Sequence, residues 1–208
     1  MIGFFGGSFD PVHFGHLKNA QQLINELGLS ALYLMPCRAP VHKDNLVFST
    51  RQRLEMLYIA LQDFPGLKID QREINRTSDS YSIDSLKEIA GEYPNETICL
   101  IIGMDSFNQL STWKEYQDFT NYCHLIVMAR PDNQNQQNYC NFSLTDTVND
   151  LQINKTGLIY FSKTKMLDIS SSNIRGILSS STINGKIRSE KSLAGLLPAG
   201  IINYLNTL

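Results

Sequence analysis

What most constrains this chain is an alternation. Short apolar runs at residues 2–5, 31–35, 67–69, 97–102, 124–128 and 157–161 are separated by stretches whose apolar positions recur at helical spacing. Several runs lack a polar–apolar alternation of their own, as strands covered on both faces do. Leu17, Ala20, Leu23, Ile24 and Leu27 follow three-and-four spacing, with Gly28 as the stop. Leu54, Leu57, Tyr58 and Leu61 repeat it, as do Ile83, Leu86 and Ile89. Strands alternating with helices predict an α/β fold, a doubly wound parallel sheet with helices on both faces and right-handed crossovers. In such sheets ligands sit beyond the carboxyl ends of the strands, at the switch point. Further helices are expected at 171–178 and 200–208, a small helical C-terminal part. Residues 131–141, with "NQNQQN", read as a solvated loop.

Length and charge narrow the function classes. A chain of 208 residues buries roughly 70% of its unfolded surface, enough for one core, so a single domain over 1–208 is expected. Eighteen Lys and Arg against 20 Asp and Glu leave a net charge of -2, with no electrostatic footprint for nucleic acid. The apolar runs are far shorter than the roughly 20 residues of a membrane span, so no membrane partner is expected. Cys37, Cys99, Cys123 and Cys140 form no C-x-x-C pattern, and no signal-peptide pattern opens the chain. Both point to a reduced, cytoplasmic protein.

The stretch "FFGGSFDPVHFGH", residues 4–16, holds two of the four histidines. It falls where the first strand should end and the first helix begin, where backbone N–H groups and the helix dipole favour an anion. Gly6 and Gly7 would let the main chain approach a phosphate closely. A helix starting near Phe14 puts His16 in its first turn and His13 just before it, so both rings could face one bound group. Neither G-x-G-x-x-G nor G-x-x-x-x-G-K-[ST] is present. Two other readings stay open at this point. Asp10 and the histidines could satisfy local backbone groups. They could also be three zinc ligands, although H-x-x-H lacks the i, i+4 pair and the Glu of H-E-x-x-H, and no metal site is assigned.

"GGSFDPVHFGH" resembles the signature of nucleotidyltransferases with an H-x-G-H motif, specifically the bacterial nicotinate-nucleotide adenylyltransferases. "PCRAPVHK" resembles the family's P-x-x-x-P-x-H-K loop, with Lys43 as its basic residue. "SYSIDSLKE" is similar to a segment written S-Y-T, acidic, T-L, with Ser82 in place of threonine. "IIGMDSFNQLSTWKEY" resembles the G-x-D-S block and its W-x-x-Y, here Gly103, Asp105, Ser106, Trp113 and Tyr116. "ISSSNIR" resembles I-S-S-T-x-I-R, with Ser172 in place of threonine.

The resemblance implies a Rossmann-like fold and transfer of AMP from ATP to nicotinate mononucleotide, with Mg²⁺ accompanying ATP. It implies that His16 hydrogen-bonds the α-phosphate, with His13 and Ser8 nearby and Gly6 and Gly7 allowing close approach. Lys43 and Arg175 would hold the β- and γ-phosphates, helped by Ser171 and Ser172, and with the histidines they form the expected catalytic set. Phe9, Gly15, Gly103 and Ile169 complete the expected ATP site, and Asp105 is assigned to ribose hydroxyls. For the acceptor, Trp113 would stack on the pyridine ring, while the Ser82 hydroxyl and the N–H groups of Ile83 and Lys114 meet its carboxylate. Ser8, Tyr81 and Arg130 complete that site.

Nicotinamide mononucleotide or phosphopantetheine are the alternative acceptors, and a non-catalytic nucleotide-binding module is the alternative outside catalysis. "SKTKM", 162–166, faintly resembles the lysine-rich loop of class I aminoacyl-tRNA synthetases, but the chain has no room for a tRNA-binding domain.

Overall fold

The computed structural model describes residues 1–38, 46–77, 79–128, 139–164, 166–183, 186–187 and 190–208, and side chains outside 181–190. The first strand, β1 (Ile2–Gly7), runs into α1 (Phe14–Leu27), and β2 (Ala31–Pro36) into α2 (Thr50–Leu61). Next come β3 (Leu67–Ile69), the short α3 (Arg72–Asn75) and α4 (Ser82–Glu92). Then β4 (Ile98–Gly103) passes directly into α5 (Met104–Asn108), followed by two 3-10 turns, Leu110–Thr112 and Tyr116–Asn121. The second half holds β5 (His124–Met128), β6 (Ser143–Thr145), α6 (Val148–Ile153), β7 (Leu158–Phe161) and α7 (Ser171–Ser181). A small hairpin, β8 (Thr182–Ile183) with β9 (Lys186–Ile187), precedes α8 (Glu190–Leu193) and α9 (Ala199–Leu205).

Among the described residues, seven strands form one parallel sheet in the order β3-β2-β1-β4-β5-β7-β6. All six expected strands are there. The seventh, β6, was not expected: it is a short edge strand of sequence SLT with Leu144 half exposed, so no apolar run announces it. The hairpin was likewise unforeseen.

Successive residues along the inner strands go to opposite faces, as the period of two requires. Phe5, Leu32, Leu34, Ile101 and Ile126 pack under α1, α2 and the C-terminal helices. Phe4, Met35, Leu100, Ile102 and Val127 pack under α4, α5 and the 3-10 turns. This is why the runs read as continuously apolar. Gly28 ends α1 in the left-handed conformation, φ 63°, its N–H closing on the Ile24 carbonyl. At Gly200 an added Cβ would come within 2.7 Å of Ile59 Cγ2, so α9 lies directly on α2. No helix among the described residues is long and apolar enough to cross a membrane.

The chain builds β1, β2 and β3 outward on one side and then places β4 on the other side of β1. The switch point is therefore the gap beyond the ends of β1 and β4, at Gly7 and Gly103.

Candidate active site

A cavity of about 870 Å³ opens at that switch point. The N-terminal ends of α1, α4 and α7 all reach it, through His13, Ser82 and Ser171. Neither the His13 nor the Tyr81 side chain caps its helix. The unused N–H groups of those first turns, with the dipoles behind them, make the cavity favourable for anions. Gly6 and Gly103 line it. A Cβ at Gly6 would meet only Met35 Cε at 4.0 Å, and one at Gly103 nothing within 4 Å. Packing within the protein therefore does not account for either glycine.

The two histidines meet as their spacing suggests. His13 and His16 stack with ring centroids 3.7 Å apart, and Phe9 packs edge-on to His16 at 5.0 Å. A Cβ at Gly15 would sit 2.9 Å from His13 Nδ1 and 3.1 Å from Ile169 Cβ, so the residue just before His16 has to be glycine if His13 is to keep its place. His13 is buried and its Nδ1 has no hydrogen-bond partner among the described residues. Burial pushes its pKa down to about 4, so the ring is neutral at neutral pH. Phe9, expected to border ATP, is fully buried behind Gly7 and His16 and is not part of the cavity wall.

Asp10 is not engaged locally, nor is it free to be a zinc ligand. Its carboxylate accepts the N–H groups of Val47 and Phe48, each at 2.9 Å, and lies 3.7 Å from the Arg175 guanidinium. Arg175 also donates to the Asp10 carbonyl at 2.8 Å and to the Ser172 hydroxyl at 3.1 Å. Ser170 caps α7 by accepting the Asn173 N–H, and the Ser171 hydroxyl donates to the Pro11 carbonyl. The first turn of α7 is thus bound to the loop after β1, with Ser172 and Arg175 in the cavity wall. No group of three or more His, Cys, Asp or Glu among the described residues is arranged to hold a metal ion.

Sequence reasoning missed Arg53. This α2 side chain is fully buried and donates to the carbonyls of Ser8 (2.7 Å), Cys37 (2.8 Å) and Arg38 (2.9 Å). It ties the loop after β1 to the loop after β2. It also missed Glu26, whose carboxylate accepts from Tyr160, Ser162 and Thr164 side chains and the Lys163 N–H. Those bonds hold its pKa below the usual range despite burial. With Asn19, which accepts the Leu167 N–H at 3.0 Å, it moors residues 162–164 and Leu167 to α1, and Met166 and Leu167 line the cavity wall.

At the other end of the cavity lie Tyr81, Ser82, Trp113 and Lys114. The Trp113 ring is half-buried, braced edge-on by Phe119 at 6.2 Å. Lys114 Nζ lies 4.6 Å from the Tyr81 ring centroid and 3.6 Å from Asp84, which draws the Trp113–Lys114 segment to the start of α4. The Ile83 side chain is in the core, leaving its backbone N–H as the group it can offer. Ser8, Asp105 and Ile169 also line the cavity. Lys43 and Arg130 lie outside the described residues.

The chain matches the cytidylyltransferase-like family over residues 4–177. It is 55% identical to a probable nicotinate-nucleotide adenylyltransferase of Vesicomyosocius okutanii, over 100% of this chain and 95% of that protein. It is 40% identical to a protein of the same description from Psychromonas ingrahamii, over 98% and 94% of the two chains. Among solved structures it resembles a Plasmodium falciparum nicotinic acid mononucleotide adenylyltransferase complexed with NaAD, with TM-score 0.74, 18% identity, and coverage of 99% and 94%. A nicotinate-nucleotide adenylyltransferase structure from Vibrio parahaemolyticus matches with TM-score 0.65 at 14% identity over 98% and 97% of the chains. At these identities the solved structures speak for the fold.

Proposed function

The chain belongs to the cytidylyltransferase-like family, among its nicotinate-nucleotide adenylyltransferases, and on that premise we infer that it transfers AMP from ATP to nicotinate mononucleotide. The products are nicotinate adenine dinucleotide and pyrophosphate, in NAD biosynthesis. The whole chain acts as one nucleotidyltransferase domain. What carries the reading physically is the convergence of three helix N-termini and a stacked histidine pair on one cavity at the switch point.

The chemistry asks little of a base. An oxygen of the nucleotide's phosphate, already anionic, attacks the α-phosphorus of ATP; a new P–O bond forms and the bond to the β-phosphate bridge breaks, releasing pyrophosphate. Catalysis is then mainly positioning two anions and stabilising charge that grows on the α-phosphate oxygens. His16 donates to those oxygens. Neutral His13, stacked on it, holds the ring in place without bringing a positive charge of its own. The first turn of α7, with Ser172 and Arg175, receives the β- and γ-phosphates, together with Lys43. Gly6 and Gly103 leave space at the strand ends for close approach of ATP. Mg²⁺ enters with ATP, carried by its phosphates, and offsets charge on the leaving pyrophosphate.

At the acceptor end, Trp113 stacks on the pyridine ring. The Ser82 hydroxyl and the N–H groups of Ile83 and Lys114 meet the carboxylate, with the α4 dipole behind them. An amide in that position would turn its NH₂ towards donors, which costs about 1–3 kcal/mol, or roughly tenfold to over a hundredfold. Pyrophosphate release with ATP and Mg²⁺ is the test, run with nicotinate mononucleotide, nicotinamide mononucleotide and phosphopantetheine in turn. The expected kcat/KM favours nicotinate mononucleotide over its amide by at least tenfold. Equal efficiency with both would remove the carboxylate pocket.

A further inference from the structure

The wall of the cavity at the acceptor end contains a buried carboxyl group with no part in the chemistry above. Glu73, on the short helix α3, is 4% exposed and lies beside Ser80, Tyr81 and Ser82. Its side chain accepts the Ser85 hydroxyl at 2.8 Å, and Ser85 is itself fully buried in the first turns of α4. The same Ser85 oxygen accepts a hydrogen bond from Arg76 at 3.2 Å, and Arg76 pairs with Glu88 at 2.7 Å. Ser85 thus uses its one hydroxyl proton on Glu73 while a lone pair receives Arg76. The main chain adds a second hold, because the Ser80 hydroxyl donates to the Glu73 carbonyl at 3.2 Å.

One residue therefore grips the chain on both sides of Tyr81–Ser82, before it through Ser80 and after it through Ser85. On the far side Lys114 braces the same turn through Tyr81 and Asp84. The α4 helix begins with no side-chain cap, so the aim of its first N–H groups depends on how the start of the helix as a whole is held. We propose that Glu73 is a positioning residue for the acceptor, holding the first turn of α4 in the orientation that meets the acceptor's carboxylate. The inference rests on the assignment of nicotinate mononucleotide above. Burial holds the Glu73 carboxyl above the usual carboxylate range, against the pull of Ser85 and Arg76. What the Ser85 hydroxyl requires is an acceptor oxygen, and a glutamine supplies one.

Trp113 is the single tryptophan and lines the same cavity, so its fluorescence follows acceptor binding without turnover. Glu73→Ala, Glu73→Gln and Ser85→Ala are titrated with nicotinate mononucleotide, and the KM for ATP and the thermal midpoint are measured alongside. The expected result is a roughly tenfold weaker acceptor Kd in Glu73→Ala and in Ser85→Ala, with ATP KM within twofold of wild type. Glu73→Gln should return to within threefold of wild type. If Glu73→Ala proves unstable, Ser85→Ala carries the test alone, since alanine suits a helix interior. Acceptor Kd unchanged in Ser85→Ala, or acceptor and ATP constants rising together, or Glu73→Gln as impaired as Glu73→Ala, would overturn the inference. Wild-type protein that neither binds nor turns over nicotinate mononucleotide would instead overturn the functional assignment, and this inference with it.

Discussion

His13 and His16 lie face to face, ring centroids 3.7 Å apart and planes 28° from parallel. Two imidazolium ions would repel strongly at that separation, and burial brings the His13 pKa from 6.5 to about 4. Well above pH 6.5 His13 is neutral in folded and unfolded chains alike and its protonation does not affect stability. As pH falls from 6.5 towards 4, the unfolded chain takes up a proton that the folded protein refuses. Stability then drops by about 3 kcal/mol in all, of which about 2 has gone by pH 5. Urea unfolding of wild type and His13→Asn at pH 7 and pH 5 measures this. Wild type should lose about 2 kcal/mol more than the variant; identical losses would mean that His13 titrates normally.

His16 keeps a solvent-facing edge and rests on Phe5 and Phe9. His16→Ala should lower kcat by roughly a hundredfold or more, since it deletes a donor aimed at developing charge. Unfolding free energy should change by less than about 2 kcal/mol. Undiminished turnover in a folded variant would end the catalytic assignment.

Gly6 and Gly103 give an opposite kind of test. An added methyl meets almost nothing in the protein at either position, so Gly6→Ala and Gly103→Ala should fold with thermal midpoints close to wild type. If ATP occupies that space, its KM should rise about tenfold or more, on the scale of 1.4 kcal/mol per factor of ten. Wild-type ATP binding in both variants, measured by calorimetry, would place the nucleotide elsewhere in the cavity.

Arg53 donates to three backbone carbonyls, those of Ser8, Cys37 and Arg38. Arg53→Met preserves much of the volume but removes the donor to all three part-buried carbonyls, at a cost of about 3 kcal/mol. Lysine has one ammonium where arginine has a planar fork, so Arg53→Lys should recover only part of it. Chemical denaturation of the two variants decides the matter; a fully stable Arg53→Met would show that the loops hold each other without it.

The parts of this fold that were legible in the sequence are those where one segment carries its own signal. Helix α1 has its apolar face and its Gly28 stop within a few residues, and β4 and, after His124, β5 are apolar because helices cover both their faces. The edge strand β6 has neither property. The histidine pair was legible because both rings project from one helix start. Arg53 was not: within "TRQRLEML" it reads as one more solvated charge, and its burial depends on carbonyls from Ser8, Cys37 and Arg38 arriving together. Glu73 and Asp10 escaped for the same reason, since their partners are brought up by the fold.

The bond from Arg175 to the Asp10 carbonyl joins residues 165 positions apart. During synthesis at about 5–20 residues per second, the loop after β1 therefore emerges many seconds before the arginine that completes it. A nascent chain stopped short of α7 can already contain the glycines, the histidine pair and the whole acceptor end. It lacks Ser171, Ser172 and Arg175, and with them the part of the cavity wall that α7 supplies. If that wall holds the triphosphate as proposed, competence for ATP is acquired late in synthesis, once α7 has emerged.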